Sequence, residues 1–261
     1  MRGALTVASY NIHVGVGTDG RFDPARIAAV IGELDADVVA LQEVQFGPAP
    51  FDMLAFLREA TGYAGVAGPT LRGRHGEYGN AVLTRRPLLA ARRIDLSVPR
   101  REPRGALDVT VQGGAGPLRV LATHLGLRPA ERREQTRRLL AECTAPFAGA
   151  TVLLGDLNEW FLWGRPLRWL HRHFESTPSP PSFPARRPVF ALDRIWVRPR
   201  RLLRELAVHV SPLARVASDH LPVRAVLTDA TGDAAAPDPA RDRGASAHPA
   251  ALAFRRRLAA C

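Results

Sequence analysis

The sequence contains no lysine. All 36 of its Lys/Arg positions are arginine, and against 25 acids they leave a formal net charge of +11. A basic excess of this size is the electrostatic footprint of polyanion binding, to nucleic acid or to an anionic membrane. The complete use of Arg beside abundant Ala, Gly and Pro matches GC-rich codon usage equally well, so charge alone assigns no partner. Cysteine is almost as scarce. Cys143 and Cys261 are too few for a disulfide framework and suit a reducing compartment. No apolar run approaches the roughly 18 residues of a membrane span. The first apolar stretch is short and broken by Asn11 and His13, which does not fit a secretory leader. A soluble, cytoplasmic monomer is therefore the expectation.

What is present is an ordinary globular composition. Hydrophobic residues at 46% and charged residues at 23% exclude a wholly disordered chain. Short apolar runs predict strands at residues 5–10, 37–42, 80–84, 88–96, 106–112, 118–124, 151–154, 189–197, 202–210 and 221–227. Asp23-Pro24 is a helix-start signal, and Ile27, Val30, Ile31 and Leu34 follow at helical spacing. Further helices are predicted over 51–60, 129–142 and 167–174. The glycines of residues 113–116 before Pro117 predict a hairpin. Helices interleaved with mostly antiparallel strand pairs predict an α+β fold, with two sheets packed face to face and helices outside. The domain is expected to span 1–228. Residues 229–261, rich in Ala, Pro and Arg, read as a disordered tail. Its basic turn, Phe254 with Arg255, Arg256 and Arg257, is a candidate for peripheral membrane contact.

Polar residues recur where predicted strands end. Asn11, Glu43, His124, Asp156 with Asn158, Asp193, and Asp219 with His220 all stand at such positions. Strand ends present side chains to one rim of a rigid scaffold. Glu43, Asp156, Asp219 and the Asn11 amide are hard oxygen donors suited to Mg²⁺ or Mn²⁺. His124 and His220 supply imidazoles for acid–base work, and Asp193 can fix the tautomer of one of them. Asn80 and Asn158 can donate to phosphoryl oxygens, and the Arg104 guanidinium matches phosphate in bidentate fashion. The chemistry served by this set is hydrolysis of a phosphate ester.

The ordered series Ser-Tyr-Asn-Ile-His (9 to 13), Leu-Gln-Glu-Val (41 to 44), Tyr-Gly-Asn-Ala-Val-Leu-Thr-Arg (78 to 85), Ala-Thr-His-Leu (122 to 125), Gly-Asp-Leu-Asn (155 to 158), Leu-Asp-Arg-Ile (192 to 195) and Ser-Asp-His-Leu-Pro (218 to 222) resembles the endonuclease/exonuclease/phosphatase superfamily. That superfamily includes pancreatic deoxyribonuclease, abasic-site endonucleases, neutral sphingomyelinases and inositol-polyphosphate 5-phosphatases. The resemblance implies a four-layered α/β-sandwich with its site at one rim. It implies that Glu43 is the principal Mg²⁺ ligand, helped by Asn11 and with Asp219 nearby, and that Mn²⁺ can substitute. Asp156 would orient or deprotonate the attacking water, and Asn158 would stabilise the transition state. Asp193 and His220 would form a pair at the scissile phosphate. His124 would contact phosphate or protonate the leaving group. Asn80 competes with Glu77 and Tyr78 to orient His124, and Arg104 stands where relatives place a phosphate-facing Arg.

The expected activity is metal-dependent hydrolysis of a small or lipid-linked phosphate ester by in-line water attack. A DNA or RNA nuclease is the alternative, and a catalytically silent binding module is disfavoured by the complete residue set. The aromatic run Trp160-Phe161-Leu162-Trp163 is expected mostly to pack into the core, with stacking on a base or dipping into lipid as the other reading. The Pro-rich segment 179–188 is a connection that can border the substrate pocket.

Overall fold

The structure is a computed structural model and describes residues 4–47, 51–73 and 76–228. The tail from Asp229 onward, with its basic turn and Cys261, lies outside the described residues. In chain order the elements are β1 (Leu5–Asn11), α1 (Pro24–Leu34), β2 (Val38–Phe46), α2 (Met53–Thr61), β3 (Ala64–Gly73), β4 (Gly76–Thr84), β5 (Leu88–Asp95) and β6 (Gly105–Gln112). They continue with β7 (Pro117–His124), α3 (Pro129–Cys143), β8 (Ala150–Asp156), α4 (Arg165–Phe174), β9 (Asp193–Arg198), β10 (Leu203–Val208), α5 (Ala214–Ala217) and β11 (Val223–Leu227).

The strands form two sheets. One has the order β10-β11-β1-β2-β4-β3 and the other β5-β6-β7-β8-β9. The β1–β2 and β7–β8 pairs are parallel, and the remaining neighbours run antiparallel. The central strands of each sheet are buried on both faces and read as continuous apolar runs, whereas the edge strands β5 and β10 are largely exposed. Val7, Val38 and Val82 of the first sheet meet Val109, Val152 and Ile195 of the second in the central layer. Tyr10 and Leu41 face the other way, beneath Ile27 and Ile31 of α1 and Leu57 of α2. On the far side Leu121, Leu153 and Trp196 pack under Leu139 of α3 and Leu167 and Leu170 of α4. Helix, sheet, sheet and helix thus make the four layers of an α+β sandwich.

Local chemistry sets the helix starts. Asp23 accepts the Arg26 amide at 3.3 Å, with Pro24 in the first turn of α1. Asp52 accepts the Ala55 amide at 2.9 Å and caps α2. The predicted hairpin joins β6 to β7, closed by Gly113 N–H donating to Gly116 O at 2.9 Å.

Two expectations change. β3 has no sequence signal, because its Gly and Pro content argues against a strand, yet it pairs with β4 at the edge of its sheet, where such residues are tolerated. The strand predicted from Val189 begins only at Asp193. The preceding residues fold back, and Phe183 and Phe190 form an isolated antiparallel bridge. Among the described residues no helix is long and apolar enough to cross a membrane.

Candidate active site

Three neighbouring strand ends of the second sheet lie in one row. The register sets His124 beside Asp156, and Asp156 beside Asp193. From the first sheet, β1 ends at Asn11, opposite Gln42. The next residue, Glu43, sits in the bulge where β2 slips against β4 between Leu41 and Val44. Glu43 holds a φ of 59° there. A left-handed non-glycine residue costs on the order of 1–2 kcal/mol, and the bulge re-aims the carboxylate out of the strand's alternation. Asn158 is similarly left-handed, with φ 49°. Gly155 has a φ of 145°, and a Cβ on it would stand 1.9 Å from the Thr123 carbonyl oxygen. Only glycine lets β8 approach β7 so closely just before Asp156.

The side chains converge. The Asn11 amide donates to Glu43 Oε1 at 3.0 Å and to Asp156 Oδ2 at 3.1 Å. Asp156 Oδ1 accepts the Asn158 backbone N–H at 2.8 Å. Asp156 Oδ2 lies 3.6 Å from His124 Nε2 and 3.7 Å from His220 Nε2, so it stands between two imidazoles. His220 Nδ1 is 2.7 Å from Asp193 Oδ2, and the Ser182 hydroxyl donates to the same oxygen at 2.6 Å. Asp193 is fully buried, and its Oδ1 has no hydrogen-bond partner among the described residues.

The two imidazoles differ in electrostatic setting. His124 has Arg104 Nη1 3.2 Å from its Nδ1 and the Asn158 amide nitrogen 3.0 Å from its Nε2. Burial pushes its pKa down to about 3, and the Arg104 charge acts in the same direction against the pull of Asp156. His220 is also buried, which opposes its charge, but the carboxylates of Asp193, Asp156 and Asp219 outweigh that and push its pKa up to about 10. At neutral pH the site therefore holds a neutral His124 and a cationic His220.

Charge balance decides whether a cation fits. Glu43, Asp156, Asp193 and Asp219 bring four carboxylates, against His220 and Arg104 as the nearby positive groups. Asp156 and Asp193 are buried and Glu43 and Asp219 half-buried, so the four carboxylates together outnumber the two cations and draw a counter-charge, and hard oxygen donors match a divalent ion of the Mg²⁺ class. Asp156, Asp193 and His220 offer ligand atoms within 4.8 Å of one another. Asp193 and His220, however, already bond to each other, and Ser182 adds a further bond to Asp193. The Glu43–Asn11–Asp156 face is the better-suited cradle, since Asn11 binds both carboxylates through one amide group.

A family model for the Endonuclease/Exonuclease/phosphatase family matches residues 8–220. The chain belongs to this family. The protein YbhP of Escherichia coli K12 is 29% identical over 247 residues, covering 86% of this chain and 96% of its own. The endonuclease/exonuclease/phosphatase of Beutenbergia cavernae superposes with a TM-score of 0.73 at 29% identity, over 86% of this chain and 71% of that one. Danio rerio TDP2, solved with a single-strand DNA product, shares the fold with a TM-score of 0.65 at 20% identity, over 87% of this chain and all (100%) of its own.

Within this family member, Asn11, Glu43, His124, Asp156, Asn158, Asp193 and His220 are linked by the contacts above. Asp219 is at the edge, with Oδ1 3.9 Å from His13 Nδ1 and 3.4 Å from the Ser218 hydroxyl. Arg104 is buried against His124, with an Nε that has no partner among the described residues. Asn80 donates to Gly105 O at 3.0 Å, next to Arg104. The groups that flank the His124 ring nitrogens are thus Arg104 and Asn158.

Sequence reasoning missed three contributors. Ser182 bonds Asp193, Phe183 packs 4.8 Å from the His220 ring, and the half-buried Tyr78 hydroxyl lies beside Glu43, the phenol held protonated by burial and by the Glu43 charge. Tyr78 sat in a quoted motif without this role. Ser182 and Phe183 lie in the Pro-rich connection, where only tertiary folding brings them to the site. The aromatic run is a correction: Trp160, Phe161, Leu162 and Trp163 are exposed, by 40% to 72%. Their apolar character reads as core, but they follow a strand end at the rim, where Trp160 packs only edge-on against Phe183 and Phe190 and Phe161 leans on Trp163.

Proposed function

We propose that the protein is a Mg²⁺-dependent hydrolase of phosphate esters, with Mn²⁺ as a substitute ion and a small or lipid-linked ester as substrate. The observation that carries this reading is the placement of Asp156 Oδ2 between a neutral His124 and a cationic His220, beside the Glu43–Asn11 pair. Glu43 and Asp156 would hold the ion and Asp219 would border it, while Asn11, whose Oδ1 accepts the His13 N–H, fixes the two carboxylates through its amide N–H groups and is not itself placed as a ligand. Such an ion supplies charge neutralisation for the phosphoryl group and the leaving oxygen.

The chain's own groups divide the remaining work. Asp156 is the acceptor available to orient a water and take its proton. His220, kept charged by Asp193, donates from Nε2 to a phosphoryl oxygen as negative charge develops in the transition state. Ser182 and Asp193 fix the ring through Nδ1. A neutral imidazole is too weak an acid to protonate a leaving group at pH 7, so we assign His124 to contact and positioning, with Arg104 and Asn158 around it. The Arg104 guanidinium adds a fixed positive charge for the phosphate.

A nucleic-acid phosphodiester is the second reading, supported by exposed aromatics and arginines at the site rim. The test is hydrolysis of bis-p-nitrophenyl phosphate in H₂¹⁸O. The reading expects one ¹⁸O per turnover on phosphorus and no burst of product. A burst, or label that enters only after a covalent intermediate, would overturn direct attack by water. A panel of plasmid DNA, RNA, phospholipids, sphingomyelin and inositol phosphates then separates the substrate classes.

A further inference from the structure

The rim next to the site carries an apolar tip. Phe161 is 53% exposed, Leu162 63% and Trp163 72%, in one turn after β8. Leu127, after β7, and Val189, before β9, are each 64% exposed. These three segments share one end of the sandwich, because β7, β8 and the start of β9 meet there in register. They are also physically joined. Pro129, Arg133, Glu159, Phe161 and Arg165 line one hollow of about 420 Å³, and Trp160 packs 4.9 Å from Phe190 and 5.8 Å from Phe183. Large exposed side chains at a single tip mark an interaction surface.

The exposed charges on these segments are of one sign, since Glu159 at the base of the tip is buried and paired with Arg132. Arg128, Arg165, Arg168, Arg186 and Arg187 are exposed on the same segments. Stretches 127–130, 160–169 and 183–190 contain no Asp or Glu. Elsewhere some arginines are paired, as in Arg26–Asp19, Arg86–Asp37 and Arg92–Asp108, and others stand singly without a comparable cluster of exposed aromatic bulk beside them. Among the described residues none of these five rim arginines has a carboxylate partner. The rim is therefore where uncompensated positive charge and exposed apolar bulk coincide.

We infer that this tip docks the protein onto an anionic lipid surface, with Phe161, Leu162 and Trp163 entering the interface and the flanking arginines meeting the headgroups. Tryptophan and leucine beside arginine is the composition that partitions into the headgroup and acyl boundary. Single-stranded nucleic acid fits less well, because Leu127, Leu162 and Val189 have no ring to stack on a base. The surface also leads into the site. Trp160 touches Phe183, and Phe183 touches His220, so a docked protein turns its catalytic rim toward the phosphates of the lipid headgroups. The docking itself stands apart from the proposed chemistry. The extension to a headgroup phosphoester as substrate rests on that chemistry.

The test uses the full chain with phosphatidylcholine vesicles, with and without phosphatidylglycerol. Sedimentation should show binding that depends on phosphatidylglycerol, and brominated acyl chains should quench tryptophan fluorescence. The triple variant F161S/L162S/W163S should bind at least about tenfold more weakly. The charge variant R165E/R168E should lose the phosphatidylglycerol dependence. Hydrolysis of a soluble p-nitrophenyl diester should match wild type in both. Absence of vesicle binding by the wild-type protein overturns the inference, as does equal binding in both variants. Loss of single-stranded DNA binding by the variants, with no vesicle binding by wild type, also overturns it and assigns the tip to nucleic acid. A protein that binds vesicles but hydrolyses no phosphoester would leave the docking standing and remove the proposed chemistry.

Discussion

Replacing Asp193 with Asn tests the electrostatic core of the site, because it removes one charge and almost no volume. Burial opposes the charged form of His220, and Asp193, 2.7 Å from Nδ1, is the largest influence restoring it. A rise from 6.5 to about 10 corresponds to roughly 4 to 5 kcal/mol of preference for the charged ring, at about 1.4 kcal/mol per unit. In D193N burial remains, and Asp156 and Asp219 are weaker supports. The His220 pKa should fall by at least ~2 units. The assay is an NMR titration of the His220 ring in metal-free protein. The linkage has a definite sign. A raised histidine pKa stabilises the fold fully below about pH 6.5, and that contribution is lost as pH rises through about 10. Wild-type melting temperature should therefore fall across that window, and the D193N curve should be flatter there. Turnover should drop by ~10²–10⁴ at neutral pH. A His220 pKa unchanged in D193N would refute the reasoning.

Other substitutions probe other parts. Glu43→Gln should weaken Mg²⁺ dependence and abolish the thermal stabilisation by Mg²⁺, worth about 2.7 kcal/mol at a hundred times Kd in wild type; calorimetry with and without the ion reads this. Arg104→Met should raise the His124 pKa, since the guanidinium 3.2 Å away helps hold it down, and should slow hydrolysis by ~10-fold to 10³-fold. Gly155→Ala should destabilise by about 2–4 kcal/mol in urea unfolding, because the added Cβ meets the Thr123 carbonyl and the residue must keep a positive φ.

The legible part of this protein follows from two regularities. Central strands buried on both faces, such as β1, β7 and β8, read as unbroken apolar runs, and ten strands are legible in all, from residues 5–10 to residues 221–227, the largely exposed edge strands β5 and β10 among them. Where such a run stops at Asn, Glu, His or Asp, the polar residue stands at the rim. His124, Asp156 and Asp193 then fall beside one another through register alone. The rest depended on tertiary context. β3 is Gly- and Pro-containing and survives only because β4 offers it an edge. Ser182 and Phe183 reach Asp193 and His220 across a connection with no periodicity. The run from Trp160 to Trp163 was misread because hydrophobicity reports the tendency to leave water but not which partner receives the side chain.

The opening asymmetry of charge also resolves into structure. Several arginines are structural, bonding Asp19, Asp37 or Asp108 on the body, and Arg104 is buried beside His124. Those of the rim are exposed around the apolar tip. The same residue type thus supports the fold, charges the site and borders its approach.

The most direct measurement of the central claim is hydrolysis of bis-p-nitrophenyl phosphate by the purified chain in EDTA and then in excess Mg²⁺ or Mn²⁺, with Glu43→Ala and His220→Ala measured alongside. The account predicts no turnover in EDTA, recovery on adding the ion, and loss of at least ~10²-fold in either variant. Turnover that persists in EDTA, or that survives unchanged in both variants, would contradict it.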